Sequence, residues 1–212
     1  METALIAGLG ALVGAILGGL ALKFLGGSGS SGDVDAEKAA AQVAERLSER
    51  FARIASYTVL LSAMICAGNA FIRYGVDWSS NGLLEIQWYL FAWMVMVGAP
   101  YVLKVNEHVR VDLLYGKLKG NAPVYVDIFG FIVFLLPIMG FMAYLSTPYF
   151  LNTFVSGEMS QNAGGLIRWP AVLALPVGFA MVWLQGLAEL IKRIAYLRGE
   201  YAMDTHYEKP LQ

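Results

Sequence analysis

The sequence predicts an all-α membrane protein: a four-helix transmembrane block with amphipathic interfacial helices, plus an extra apolar helix at the N-terminus. Three observations carry this expectation. Of 212 residues, 58% are hydrophobic and 15% charged, whereas an average soluble domain has about 45–50% and roughly 25%. Mean hydropathy is +0.57, and a soluble chain of this size has no core large enough to hide so much apolar surface. Five runs lack any charged residue, namely Ala4–Leu22, Ile54–Ile72, Ile86–Leu103, Ile128–Gly157 and Trp169–Ala188. A helix needs about 20 apolar residues to cross the hydrocarbon layer, and a closed barrel would show short alternating segments instead. Net charge is -1, so no basic field exists to hold nucleic acid. A lone cysteine, Cys66, excludes an intramolecular disulfide and a Cys-rich metal cage.

Residues 1–25 read as an N-terminal apolar helix. They lack a basic leading region and carry Glu2, which fits a cleavable secretory signal poorly. Gly10, Gly14 and Gly18 form two small-xxx-small steps on one face. That face either allows close helix packing or reflects the ordinary glycine content of membrane helices. Residues 26–35, with Gly26–Gly32 reading GGSGSSG, have the composition of a flexible linker.

Asp33 or Asp35 then caps an amphipathic surface helix over residues 36–53. Ala36, Ala40, Val43, Leu47, Phe51 and Ile54 recur every three or four residues, with charged residues between them. Such a helix either lies along the cytoplasmic membrane surface or docks on a partner. Residues 54–197 form the four-span block, and residues 198–212 a tail. Arg46, Arg50 and Arg53 precede the block, Lys104, Arg110, Lys117 and Lys119 fill its central connection, and Lys192, Arg193 and Arg198 follow it. Only Arg73 and Arg168 occupy the alternate connections. The basic residues therefore put both ends of the block in the cytoplasm. If Ala4–Leu22 also crosses, Met1 lies outside. A second amphipathic helix begins at Asn106, where Val109, Leu113 and Leu114 enter the interface while Arg110, Lys117 and Lys119 meet lipid head groups.

No enzyme signature emerges. His108 and His206 both lie outside the spans, which rules out a transmembrane bis-histidine haem site. His108 and Asp112, one turn apart, are two metal ligands without a third. No phosphate-cradling loop precedes a Lys-Ser or Lys-Thr pair. The candidate functional residues are polar and aromatic groups at span ends: Asn69, Arg73, Glu85, Gln87 and Trp88 outside, and His108, Arg110 and Asp112 inside. Arg73 and Glu85 flank one short outer loop, so they either pair or each snorkel to the interface. Trp78, Trp88, Tyr89 and Trp169 read as an interfacial aromatic belt. No span carries two charges deep inside, and no pair of broken, inverted helices is suited to holding substrate. The block reads as an accessory rather than a carrier.

Asn69-x-x-x-Arg73-Tyr74, Glu85-Ile86-Gln87-Trp88-Tyr89-Leu90-Phe91 and His108-Val109-Arg110-Val111-Asp112 occur in that order. In this, the stretch from Phe51 to Leu197 resembles the small, DctQ-like membrane subunit of TRAP (tripartite ATP-independent periplasmic) transporters. The N-terminal apolar segment and glycine linker depart from the usual four-span pattern. The resemblance implies a bacterial inner-membrane protein with a cytoplasmic C-terminus. Its partners would be a large membrane subunit, a periplasmic substrate-binding protein and membrane lipid. The large subunit would carry an organic acid or related solute inward with sodium, by an elevator-type movement. This chain would brace the large subunit and help dock the binding protein, holding no cofactor and leaving sodium to its partner. The rival readings are a membrane scaffold or assembly protein unrelated to transport, and a small membrane enzyme or electron carrier, which would need ligands the spans lack.

Overall fold

A computed structural model describes residues 31–78, 80–106, 120–199 and 201 of the chain. The N-terminal apolar helix, the first residues of the linker, the interfacial helix with His108, Arg110 and Asp112, and nearly all of the tail lie outside the described residues. Those described form four long helices: α1 (Ser31–Val76), α2 (Asn81–Val105), α3 (Ala122–Ser156) and α4 (Trp169–Leu197). Each is long and apolar enough to cross a membrane. The chain is an all-α membrane protein.

α1 is one continuous helix of 46 residues, about 69 Å at the α-helical rise, and it starts inside the segment read as linker. Its inward face is a different one from the apolar stripe, which stays free for lipid or a partner. Ala41, Ser48 and Ala55, seven residues apart, are buried, whereas Val43, Leu47 and Ile54 are exposed. The reason is the solvent: lipid accepts apolar side chains, so helix contacts favour residues small enough to let backbones approach.

α3 contains a π-helical turn over Phe131–Leu135, in which the N–H of Leu136 donates to the carbonyl of Phe131, five residues back. Pro137 follows immediately and has no N–H to donate, and its ring crowds the carbonyl of the preceding turn; the wider turn absorbs both effects. α3 ends at Gly157, whose φ of +61° is the left-handed conformation that closes helices. Asn106 closes α2 the same way, with φ +62°.

α4 is the hub. Half of its most apolar stretch is buried, compared with 11–17% in the other three helices. α1 and α2 pack against each other and against α4, and α3 packs on α4 from its other side. A core of Leu103, Val124, Ile128, Phe131, Leu136, Trp183, Leu187 and Leu190 gathers around the inner half of α4. Higher up, a Cβ added at Gly178 would stand 2.6 Å from Met96 Cβ and 3.0 Å from the Met96 carbonyl oxygen. Only glycine permits that approach of α4 to α2. Gly178→Val should therefore lower the thermal midpoint in detergent by an overpacking cost of about 1–3 kcal/mol. Gly68→Ala, where nothing lies within 4 Å, should leave the midpoint unchanged or slightly raised.

Candidate functional site: polar clusters at the two ends of the bundle

At the end of the bundle where α3 joins α4, named outer after the side expected from the basic residues, residues 157–168 fold into a tight loop. Ser160 N–H donates to Leu166 O at 2.9 Å, Arg168 N–H to Glu158 O at 2.9 Å, and Met159 bridges Ile167. The loop is organised around Glu85, which is only 3% exposed. Its carboxylate accepts from Asn162 Nδ2 at 2.8 Å, Leu166 N–H at 2.6 Å and the Ser160 hydroxyl. A buried carboxylate is tolerated when donors surround it. Three further bonds fasten the same edge: Asn81 Nδ2 to Ala163 O at 3.0 Å, Tyr89 OH to Ile167 O at 3.1 Å, and Trp93 Nε1 to Pro170 O at 2.9 Å. Arg168 pairs with Glu158 and lies 3.4 Å from the Tyr149 hydroxyl. An outward-facing cleft of about 710 Å³ opens here, lined by Trp88, Tyr89, Tyr149, Asn162 and Arg168.

Of the two readings of Arg73 and Glu85, the pair is not formed. Arg73 is exposed and has no ion pair among the described residues, because the loop donors fill the carboxylate of Glu85. Trp88 is exposed. Asn69 is buried at the outer end of α1, and its Oδ1 has no hydrogen-bond partner, nor does Nε2 of Gln87 on α2. The structure thus brings Glu85 together with a loop the sequence did not suggest. His108, Arg110 and Asp112 lie outside the described residues.

The inner end holds a larger network that sequence reasoning missed. Gln185, Glu189 and Arg193 stand at four-residue intervals on the buried face of α4 and are 0%, 4% and 1% exposed. Arg193 Nη1 donates to Glu189 Oε2 at 2.6 Å, and Nε to Asp127 Oδ2 of α3 at 3.0 Å. Its guanidinium lies 4.7 Å from the Phe131 ring centroid. Gln185 Nε2 donates to Glu189 Oε1 at 3.1 Å, and Gln185 Oε1 accepts from the Ser48 hydroxyl of α1 at 2.7 Å. Lys192 pairs with Glu189 and with Glu45 at 2.8 Å, and Lys104 of α2 pairs with Glu49 at 2.5 Å. All four helices therefore meet in one set of charges. Twenty residues, about one hydrocarbon thickness, separate Trp169 from Glu189, so the network lies one membrane thickness from the α3–α4 loop. The Gln-x-x-x-Glu-x-x-x-Arg spacing was the available signal, since i,i+4 groups share a face.

Arg193→Met removes the hydrogen-bonded guanidinium from the buried Glu189, which keeps only Lys192 as a cation, and from Asp127, so it should cost about 3 kcal/mol of stability. Adding Glu189→Gln should restore part of that loss, as read by thermal unfolding. At the outer end, Glu85→Ala should speed amide exchange at Ser160 and Leu166 on the order of tenfold, because the loop loses its shared acceptor.

Two comparisons bear on this arrangement. Residues 119 long in alignment are 32% identical to the "C4-dicarboxylate TRAP transporter small permease protein DctQ" of Pseudomonas aeruginosa (strain ATCC 15692), covering 54% of this chain and 53% of the relative. The chain thus spans about half the length of that relative. No solved structure matches. The model of the family described as "Tripartite ATP-independent periplasmic transporters, DctQ component" matches residues 61–195. That match takes in residues 61–76 of α1, Glu85 with its loop, and the Gln185–Glu189–Arg193 face. It covers well over half of the sequence, and the family is a transporter component rather than an enzyme. The chain belongs to the DctQ family, the small permease component of TRAP transporters.

Proposed function

We propose that this chain is the static accessory subunit of a sodium-coupled TRAP transporter in the bacterial inner membrane, bracing a large membrane subunit and helping to dock a periplasmic binding protein. The large subunit binds sodium and carries the solute; this chain holds no cofactor. Its C-terminus is cytoplasmic, following the basic residues at the inner ends of the spans. The solute class is an organic acid, and the printed name of the Pseudomonas relative points to C4-dicarboxylates.

One observation carries the accessory role. Among the described residues, the buried charged groups Glu85, Glu189 and Arg193 are all engaged by partners within the chain. A carrier needs polar groups in its spans free to receive a solute or ion. The faces of α1, α2 and α3 meanwhile expose large apolar side chains such as Phe71, Phe91 and Phe141, suited to lipid and to a partner's helices. The loop held by Glu85 and its cleft supply an ordered outer face for docking.

Co-expressed with the large subunit, the chain should purify in mild detergent as a one-to-one complex, and sodium-driven uptake into proteoliposomes should require both. Saturable, solute-specific heat on titrating the isolated chain would overturn the accessory role. His108, Arg110 and Asp112 are proposed to fix the turn that follows α2. Asp112→Ala should then lower complex yield or uptake without altering solute preference. Arg110→Ala should act more mildly, because lipid head groups are interchangeable partners.

A further inference from the structure

α1 and α2 cross where Gly98 faces Ala55; a Cβ at Gly98 would stand 3.8 Å from that of Ala55. Beside this crossing of small residues runs a groove of about 520 Å³. Its floor is apolar, built from Ala55, Val59, Met94 and Gly98. Arg53 stands on its rim at the end nearer Ser31, with Ser56 beside it and Tyr101 on the facing wall. Between Glu49 and Val59 the groove follows α1 for ~15 Å, half the hydrocarbon thickness and the depth that one acyl chain occupies in its leaflet.

The charges at the rim are unevenly matched. Glu49 is taken by Lys104 and Glu45 by Lys192. Arg46, Arg50 and Arg53 recur at four- and three-residue spacing along one exposed stripe. Arg46 and Arg53 feel the Glu49 charge at longer range, but Lys104 takes its hydrogen bond. None of the three makes a close ion pair or hydrogen bond among the described residues. The Tyr101 hydroxyl likewise has no partner among them. Arg53 immediately precedes the uncharged run Ile54–Ile72, so these donors stand where hydrocarbon gives way to head groups. An unpaired guanidinium stripe at that level, opening onto an apolar trough of one-leaflet depth, complements an anionic lipid in both charge and shape. A neutral partner helix would fill the trough and leave the arginines unmatched.

We infer that this groove is a binding site for one anionic phospholipid. The phosphate is held by Arg53 with the Tyr101 hydroxyl as a further donor, Arg50 adds charge from the neighbouring stripe, and an acyl chain runs along the trough toward Val59 and Met94. The site requires only that α1 and α2 cross a bilayer, so it stands or falls independently of the accessory role. The test is native mass spectrometry of the full chain, released from nanodiscs containing phosphatidylglycerol and phosphatidylcholine with identical acyl chains. The wild-type chain should retain one phosphatidylglycerol in preference to phosphatidylcholine. Each neutralised arginine is worth about fivefold, so Arg50→Gln with Arg53→Gln should reduce that preference by up to roughly 25-fold, while Arg53→Lys keeps most of it. Ser56→Phe, a lipid-exposed change that plugs the trough without altering charge, should reduce retention of both lipids. Inorganic phosphate should not displace the bound lipid. Equal retention of the two lipids by the wild-type chain, indifference to both the arginine and Ser56→Phe variants, or displacement by inorganic phosphate would overturn the assignment.

Discussion

A guanidinium buried to 1% exposure dictates how the inner half of this bundle is arranged. Arg193 cannot be left alone in low dielectric, and the structure surrounds it with Glu189 from its own helix, Asp127 from α3 and the face of the Phe131 ring. Glu189 in turn is shared with Lys192 and Gln185, which reach Glu45 and Ser48 of α1. Lys104 brings α2 into the same set through Glu45, 3.8 Å away. Satisfying one buried cation thus fixes the neighbours and rotation of every helix at that level. The arrangement specifies a fold more than it adds stability, because desolvation offsets much of the Coulomb gain.

That role has weight because the bilayer removes the usual driving force. Lipid tails are as apolar as leucine, so apolar burial does little to choose between one helix pairing and another. Choice is left to polar partners and to close approach. The bundle uses both, at different depths: the charge network at the inner boundary, and the contact of Gly178 with Met96 between α4 and α2. Val43, Leu47 and Ile54 follow the same logic in reverse, since lipid accepts them and Ala41, Ser48 and Ala55 take the helix contacts.

The outer end is built differently. Glu85 has no cation within its set of donors; a backbone amide, an amide side chain and a hydroxyl from one loop hold it. The loop gains a fixed shape, and Tyr89 and Trp93 bond carbonyls at its exit. A bundle closed by charge on one side and by an ordered loop on the other has its charged interior committed to its own fold. What it presents outward is apolar helix surface and one shaped outer face, as befits a member of the DctQ family acting within a larger assembly.

Hydropathy and charge along the chain determined the all-α membrane class, and the cores of four spans fall within α1 to α4. Both are sums over local residues, independent of who neighbours whom. The motifs around Asn69, Glu85 and His108 were enough to identify the family. Partner choice was a different matter. Arg73 and Glu85 are close in sequence across a short loop, yet Glu85 is filled by Ser160, Asn162 and Leu166, which lie more than seventy residues away. Glu189, Lys192 and Arg193 read as the charged end of a span until Asp127 and Glu45 arrive beside them from other helices. The continuity of α1 past residue 53 was equally hidden, because its amphipathic part and its apolar part obey one helical period in two solvents. A buried charge is answered by whichever donors the packing brings within about 3 Å, and only the tertiary structure decides which helices those are.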